Sequence, residues 1–261
     1  MEIEFFKYHG AGNDFVMVDC RQVDEHLFDN IKVGFLCNRH LGIGADGLIL
    51  LLDDPSAEFR MKYFNSDGRE GTMCGNGGRC IVAFARDLGI IHQKTVFSGI
   101  DGLHHSEIMD SGLINLKMID VDGVKEMEDG YLVETGSRHF VTFRKSISDI
   151  DVFSEGREIR QQARFADEGT NVNFVETVSE NVFKIRTFER GVENETLACG
   201  TGAVASAISS HYRQKTDKNS YTIHALGGTL SVNFTVQNNE NYSNIWLKGP
   251  AKFVFKGQIN I

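Results

Sequence analysis

Two cysteines stand in settings that repeat. From Tyr63 to Leu88 the chain reads YFNSDGREGTMCGNGGRCIVAFARDL, with Cys74 inside Cys-Gly-Asn-Gly just ahead of an apolar run, Gly78 to Leu88, that reads as a buried helix. From Thr187 to Tyr212 it reads TFERGVENETLACGTGAVASAISSHY, with Cys199 inside Cys-Gly-Thr-Gly ahead of a second helix of apolar and small residues. Phe64 and Phe188 head the two copies, followed by the polar pairs Asn65-Ser66 and Glu189-Arg190. A helix N-terminus presents backbone N–H groups and a partial positive charge, which favour a thiolate and bind an anion such as a carboxylate. A cysteine there has its pKa lowered from ~8.5 to between roughly 3.5 and 7.5. The glycines let a ligand approach the backbone closely. Two such helix ends facing one substrate suit a reaction in which one thiolate removes a proton and the other thiol returns one to the opposite face. That is racemisation or epimerisation at a carbon next to a carboxylate. For a single cysteine beside glycine, packing is the ordinary explanation. Its recurrence in a duplicated context favours chemistry.

The duplication divides the 261 residues into two domains of a size that each supports its own core. The boundary is expected near Lys117, giving an N-terminal domain over 1–117, to which the tail 250–261 returns, and a C-terminal domain over 118–249. Glu2–Tyr8 alternates as a strand, and the turn at His9-Gly10-Ala11-Gly12 leads through Asn13 into a second strand ending at Asp19. Asn13 is either a turn residue bonded to backbone or an amide projected into a site. Asp29–Leu36 reads as a helix. Gly42-Ile43-Gly44-Ala45-Asp46-Gly47 matches G-x-G-x-x-G, but the β-like run Leu48–Leu52 follows where a dinucleotide fingerprint needs a helix, so a nicotinamide or flavin site is set aside. Phe59–Phe64 is a strand, and the helix after Cys74 is apolar nearly all round, which implies a central helix sheathed by sheet.

Short alternating segments from Thr95 to Asp149, separated by glycine turns, read as antiparallel sheet. His104-His105 reads as a surface loop without metal-ligand spacing, and His139 as an ordinary strand-edge histidine. Ser154–Phe165 is expected to be helical with one charged face. Glu168–Val175 turns into a strand, echoing the Gly-Asn-Asp-Phe-Val stretch near the N-terminus. Glu189-Arg190 resembles a solvated pair, but its place in the repeat favours a site role. Tyr221–Ala225 and Thr229–Val236 form a hairpin around Gly227-Gly228, Gln237–Asn244 a polar loop, and Ile245–Leu247 and Ala251–Phe255 the final strands.

A formal charge of −9 without basic blocks argues against nucleic acid as a partner, because phosphate binding needs a basic face. The first residues, MEIEFFKYHG, lack the regions of a signal peptide, and no apolar run approaches the ~18 residues of a membrane helix. A cytoplasmic protein is expected, with no membrane partner. Five cysteines without Cys-x-x-Cys spacing disfavour a disulfide framework, a zinc site or a thiol oxidoreductase. Cys20, Cys37 and Cys80 read as packing residues.

Taken together, His9-Gly10-x-Gly12-Asn13-Asp14-Phe15, Arg39-His40-x-Gly42-x-Gly44-x-Asp46, Asn65-x-Asp67-Gly68, Met73-Cys74-Gly75-Asn76-Gly77-x-Arg79, Thr170-Asn171-Val172-x-Phe174, Glu189-Arg190-Gly191 and Ala198-Cys199-Gly200-Thr201-Gly202 resemble the diaminopimelate epimerase family, in family order over most of the chain. The resemblance implies an α/β, more closely α+β, fold of two similar pseudo-symmetric domains, each a mostly antiparallel sheet wrapped around a central helix, with the active site in the cleft between them. It implies an epimerase that interconverts LL- and meso-diaminopimelate without a cofactor, on the route to lysine and peptidoglycan, and a homodimer acting on a small amino-acid substrate. Cys74 and Cys199 would be the two bases, with His139 and Glu189 influencing the thiols. Asn13, Asn65, Asn171, Glu189 and Arg190 would hold the substrate's polar groups. The backbone at Gly75-Asn76 and Gly200-Thr201 would bind the reacting carboxylate.

Three positions depart from the family. Its members commonly read Gly-Asn-Pro-His where this chain has Gly136-Ser137-Arg138-His139, so a substrate-contacting Asn becomes Ser137 and Arg138 adds a charge. Many carry Gln at Gly47 and Ser at Arg69. These changes leave the two thiols in place and bear on the substrate. A related racemase for another amino acid, such as proline or histidine, is the nearest alternative. A non-catalytic amino-acid-binding protein is another, against which two intact cysteine motifs argue.

Overall fold

The computed structural model describes residues 1–237 and 241–261. The chain divides into two compact units, Met1–Leu116 with Pro250–Ile261, and Lys117–Gly249. The first runs through β1 (Glu2–Gly10), β2 (Asn13–Asp19), α1 (Asn30–Cys37), β3 (Gly47–Leu52), β4 (Arg60–Asn65), α2 (Gly75–Asp87), β5 (Lys94–Gly99), β6 (Gly102–Ile108) and β7 (Ile114–Lys117), which ends at the division. The second runs through β8 (Val121–Asp122), β9 (Lys125–Met127), β10 (Gly130–Glu134), β11 (Arg138–Arg144), α3 (Val152–Arg160), β12 (Asn171–Ser179), β13 (Val182–Glu189), β14 (Asn194–Thr196), α4 (Gly200–Gln214), β15 (Ser220–Ala225), β16 (Gly228–Gln237) and β17 (Asn241–Gly249). The chain returns to the first unit with β18 (Lys252–Asn260).

Both units pair their strands by one scheme. In the first the order is β18-β1-β2-β3-β4-β5-β6-β7, antiparallel except at β2–β3 and β4–β5. In the second it is β9-β10-β11-β12-β13-β15-β16-β17, antiparallel except at β11–β12 and β13–β15. Parallel neighbours need a crossover, usually helical. Here α1 and α3 occupy the first crossover of each unit, and α2 and α4 the second. The duplication seen around the cysteines therefore extends to the whole sheet, and the fold is two-domain α+β.

Strand alternation sets what each face covers. In β3 all six residues are buried, as expected for a strand covered on both sides. Leu48, Leu50 and Leu52 pack with Val33, Leu36 and Cys37 of α1. Ile49 points the other way, so close to Gly77 of α2 that a Cβ there would lie 3.0 Å from its Cδ1. In the second unit α3 packs on β12, β13 and β14, its Val152 and Ile159 sharing a cluster with Val172, Phe174 and Phe188. The central helices are α2, buried from Gly75 to Ala85, and α4, buried at most positions from Gly200 to His211. Among the described residues no helix is long and apolar enough to cross a membrane.

Several expectations need correction. The helix expected from Gly78 begins at Gly75, so Gly75, Asn76 and Gly77 form its first turn. The helix expected over Ser154–Phe165 ends at Arg160, and a separate 3-10 turn follows at Ala163–Phe165. His104-His105 is not a loop but part of β6. His104 is buried, its ring tilted 32° against that of Phe97 with centroids 5.2 Å apart, and bonded to Asp101 Oδ1 at 3.0 Å. Of the polar loop expected over Gln237–Asn244, Gln237 closes β16 and Asn241–Asn244 belong to β17; residues 238–240 lie outside the described residues. Gly227 stays in the hairpin turn and Gly228 opens β16 opposite Ala225.

Candidate active site

The helices of the fold are capped in two ways. The outer helices start at ordinary N-cap residues: Asp29 accepts from the Lys32 N–H at 2.9 Å, and Asp151 from the Ser154 N–H at 3.1 Å. The central helices α2 and α4 start at Cys74 and Cys199. Cysteine is a weak hydrogen-bonding group, so capping strength does not account for it at both positions. Each cysteine is partly exposed, whereas Cys20, Cys37 and Cys80 are buried. Burial pushes the Cys20 and Cys37 thiols up to about 12 and the Cys80 thiol higher still, which makes these three inert packing residues.

In the first unit, a two-residue turn at Ala11 and Gly12, both at positive φ, places Asn13 at the start of β2. Gly10 precedes it because α2 passes close by: a Cβ at Gly10 would lie 2.8 Å from the carbonyl oxygen of Asn76. Asn13 Oδ1 lies 3.7 Å from Cys74 Sγ and accepts from Asn76 Nδ2 at 3.2 Å. Asn13 Nδ2 donates to Asp46 at 2.7 Å. Arg39 bridges Asp46 and Asp14, each at 2.7 Å, and Lys7 meets Asp14 at 2.7 Å. Burial would raise the Asp14 carboxyl, but hydrogen bonds from Arg39 and Lys7 outweigh it and hold it down at about 2. Arg79 is fully buried in α2, donating to Asn76 Oδ1 at 2.7 Å, to the Gly75 carbonyl at 3.1 Å and to the Pro250 carbonyl at 3.4 Å. Asn65 stands apart from this group. It is exposed at the end of β4, its Oδ1 accepting from the Tyr63 hydroxyl at 2.9 Å.

In the second unit, the Cys199 sulfur accepts from the Gly202 N–H at 3.4 Å and lies 3.4 Å from Thr201 Oγ1. Thr201 Oγ1 is 2.9 Å from Nε2 of His139, which also meets Ser137 Oγ at 3.0 Å. Gly202 is required here, since a Cβ would sit 2.4 Å from Asn173 Oδ1 and 3.3 Å from Cys199 Sγ. His139 is not at a strand edge in any exposed sense. It is fully buried, and burial pushes its imidazole down to about 3, only partly opposed by the hydrogen bond from Asn173. Parallel pairing of β11 with β12 sets His139 beside Asn171. Asn171 donates to the Arg138 carbonyl at 3.0 Å and accepts from the Arg190 N–H at 2.8 Å.

Glu189 closes β13 on the same face as Thr187 and is half-buried, while Arg190 is exposed and its guanidinium donates to the Glu168 carbonyl. Gly200 and Thr201 open α4, as Gly75 and Asn76 open α2. Arg138 is paired with the Glu168 carboxylate, so the charge expected to be added there is already matched. Gly47 is also explained locally: a Cβ would lie 2.5 Å from the Phe64 carbonyl and 2.6 Å from the Tyr63 ring.

Sequence reasoning assigns no role to Lys7, Asp14, Arg39, Asp46, Arg79, Asn173 or Thr187, which the structure bonds into these groups. Two carried a signal. Arg79 is a charge inside an apolar helix, and Asn173 shares the strand face of Asn171 by period-two alternation.

The sequence model of the diaminopimelate epimerase family matches residues 5–118 and 131–254. A diaminopimelate epimerase of Flavobacterium psychrophilum is 49% identical over 257 residues, covering 98% of this chain and 100% of the relative. That of Aquifex aeolicus is 39% identical over 280 residues, covering 99% and 98%. Among solved structures, a phenazine biosynthesis protein of the PhzF family from Bacillus anthracis superposes with a TM-score of 0.74 at 17% identity, covering all of both chains. A hydroxyproline epimerase from Agrobacterium vitis superposes at 0.71 and 14%, covering 99% of this chain and 92% of that one. Identities this low show a shared fold.

Proposed function

The chain belongs to the diaminopimelate epimerase family, and from that premise we propose that it interconverts LL- and meso-diaminopimelate, with Cys74 and Cys199 as the two acid–base groups. It is an isomerase acting on a small amino-acid substrate, in lysine biosynthesis and the supply of peptidoglycan precursors. One observation carries the residue assignment: in each half of the duplicated fold the central helix is capped by a partly exposed cysteine.

The α-proton of an amino acid is very weakly acidic, so its removal needs a strong local base and stabilisation of the charge that develops next to the carboxylate. The Cys199 sulfur accepts a hydrogen bond from the Gly202 N–H, suited to a thiolate, while Cys74 has an acceptor, Asn13 Oδ1, within reach of its S–H hydrogen. One sulfur removes the proton and the other delivers one to the opposite face. The leading N–H groups of α2, at Gly75-Asn76, and of α4, at Gly200-Thr201, bind the reacting carboxylate as helix N-termini bind anions. Asn13, Asn65, Asn171, Glu189 and Arg190 hold the substrate's remaining polar groups, with Ser137 in the place of a family asparagine. The resemblance further assigns the enzyme to the cytoplasm as a homodimer, which sedimentation of the purified protein tests.

Ser137 favours a second reading, a racemase for another amino acid, because its shorter side chain is turned to His139 and Thr201. A chiral chromatographic assay of LL-diaminopimelate beside proline, hydroxyproline and histidine separates the two. Turnover of diaminopimelate alone supports the first reading, and turnover of another amino acid with diaminopimelate untouched overturns it.

A further inference from the structure

The hydrogen bonds around Cys74 have a direction imposed by their ends. At one end stands Arg79, whose guanidinium has donors only, and at the other Asp46, whose carboxylate has acceptors only. Arg79 donates to Asn76 Oδ1 at 2.7 Å, which commits the Asn76 amide nitrogen to donate to Asn13 Oδ1 at 3.2 Å. Asn13 in turn donates from Nδ2 to Asp46 Oδ2 at 2.7 Å, and Arg39 holds the other Asp46 oxygen at 2.7 Å. An isolated asparagine amide turns over at little cost. In this chain, turning Asn13 over would set two N–H groups against each other at Asn76 and two oxygens against each other at Asp46. Both ends oppose it.

We propose that Asp46, clamped by Arg39, is a positioning residue that keeps the carbonyl oxygen of Asn13, and not its amide N–H, facing the Cys74 sulfur. An acceptor at that place favours the S–H form of Cys74, the form that returns a proton to substrate. An N–H there would favour the thiolate. The catalytic consequence rests on the epimerase reading; the orientation of the amide does not.

The test uses alkylation, which reads the sulfur directly. In a Cys199→Ala background Cys74 is the one remaining cysteine that is not buried, and the pH midpoint of its reaction with iodoacetamide, followed by mass spectrometry, reports its ionisation. Asp46→Ala and Asp46→Asn both remove the same negative charge, so any effect of charge is common to them. The field of buried Arg79 and of the Lys7–Asp14 pair is likewise common to all the variants. Only Asp46→Asn can still offer an oxygen to the Asn13 amide. The expected result is a midpoint in Asp46→Ala roughly 0.5 to 1 pH unit below that in Asp46→Asn, the worth of one hydrogen bond. Equal midpoints in the two variants overturn the proposal. The Asp46 side chain is 45% exposed, so its replacement leaves the core intact. With Cys199 restored, kcat/KM for diaminopimelate is expected to fall roughly tenfold in Asp46→Ala and to recover in Asp46→Asn. Absence of turnover in the parent would defeat the epimerase reading alone, while the alkylation comparison would still decide the role of Asp46.

Discussion

Asn173 donates its amide N–H to Nδ1 of His139 at 3.0 Å, and this contact decides which ring nitrogen carries the proton. The amide cannot turn over, because Asn173 Nδ2 also donates to the Phe140 carbonyl at 3.2 Å and Oδ1 accepts from the Thr187 hydroxyl at 3.0 Å. Nδ1 is therefore the acceptor and Nε2 the donor. Nε2 faces Thr201 Oγ1 at 2.9 Å and Ser137 Oγ at 3.0 Å, and a hydrogen given to Thr201 Oγ1 leaves the Thr201 hydroxyl hydrogen to point at the Cys199 sulfur, 3.4 Å away. A neutral histidine thus supports Cys199 through one hydroxyl.

Thr201→Val removes that hydroxyl at nearly constant volume. In a Cys74→Ala background, the pH midpoint of Cys199 alkylation is expected to rise by roughly 0.5 to 1 unit, because a thiolate loses one donor. An unchanged midpoint would detach His139 and Thr201 from the sulfur.

The burial of His139 also makes stability depend on pH. Its imidazole titrates at about 3 in the folded protein, whereas an unfolded chain titrates at about 6.5. Between those values the unfolded state binds more protons. The contribution is therefore fully present above pH 6.5 and is lost on acidification toward pH 3, at up to about 1.4 kcal/mol per pH unit. His211, which burial also pushes down, adds a slope of the same sign, so the informative quantity is a difference. Urea unfolding between pH 7 and 5 should show a shallower pH dependence for His139→Gln than for the parent. Identical slopes would mean that His139 is not held neutral.

Arg79→Met should be among the most destabilising single changes in the first unit. It removes the donors for Asn76 Oδ1 and for the Gly75 and Pro250 carbonyls, and an unsatisfied buried acceptor costs about 1 to 3 kcal/mol. A loss of about 3 kcal/mol or more is expected from urea midpoints at an unchanged m-value. A loss under about 1 kcal/mol would show that these acceptors find other donors.

Removing either sulfur tests the two-base scheme residue by residue. Cys74→Ala and Cys199→Ala should each lower net epimerisation by at least about 10² to 10⁴, the usual worth of a positioned acid or base. Retention of near-parent rates in both directions by either variant would rule out a second thiol as an obligatory partner.

Much of this architecture is legible along the chain, because the signals are local. The alternation in β1, the helical run from Asp29 and the apolar residues nearly all round α2 each lie within a few neighbouring residues. The start of α2 was not legible. Gly75 and Gly77 have poor helix propensity, and the turn they form is stabilised by packing against Ile49 and Gly10 rather than by their own preference. His104 was hidden for a similar reason, since Gly102 beside Asp101 reads as a turn while pairing with β5 makes it strand. Both cysteines stand out in the sequence through the repeat. The groups around them are harder to read, because Asp46 meets Asn13 across 33 residues and Thr187 meets Asn173 through the pairing of β12 with β13, which spacing along one segment does not reveal.

Inversion of an α-carbon through two thiols exchanges its proton with solvent. The most direct measurement is to incubate the reduced protein with LL-diaminopimelate in D₂O, following α-deuterium content by mass spectrometry and isomer composition by chiral chromatography. Meso product is expected to appear, with deuterium from solvent on every inverted α-carbon. Meso product that retains the original α-hydrogen, or no exchange and no inversion at all with folded, reduced protein, would contradict inversion through two thiols.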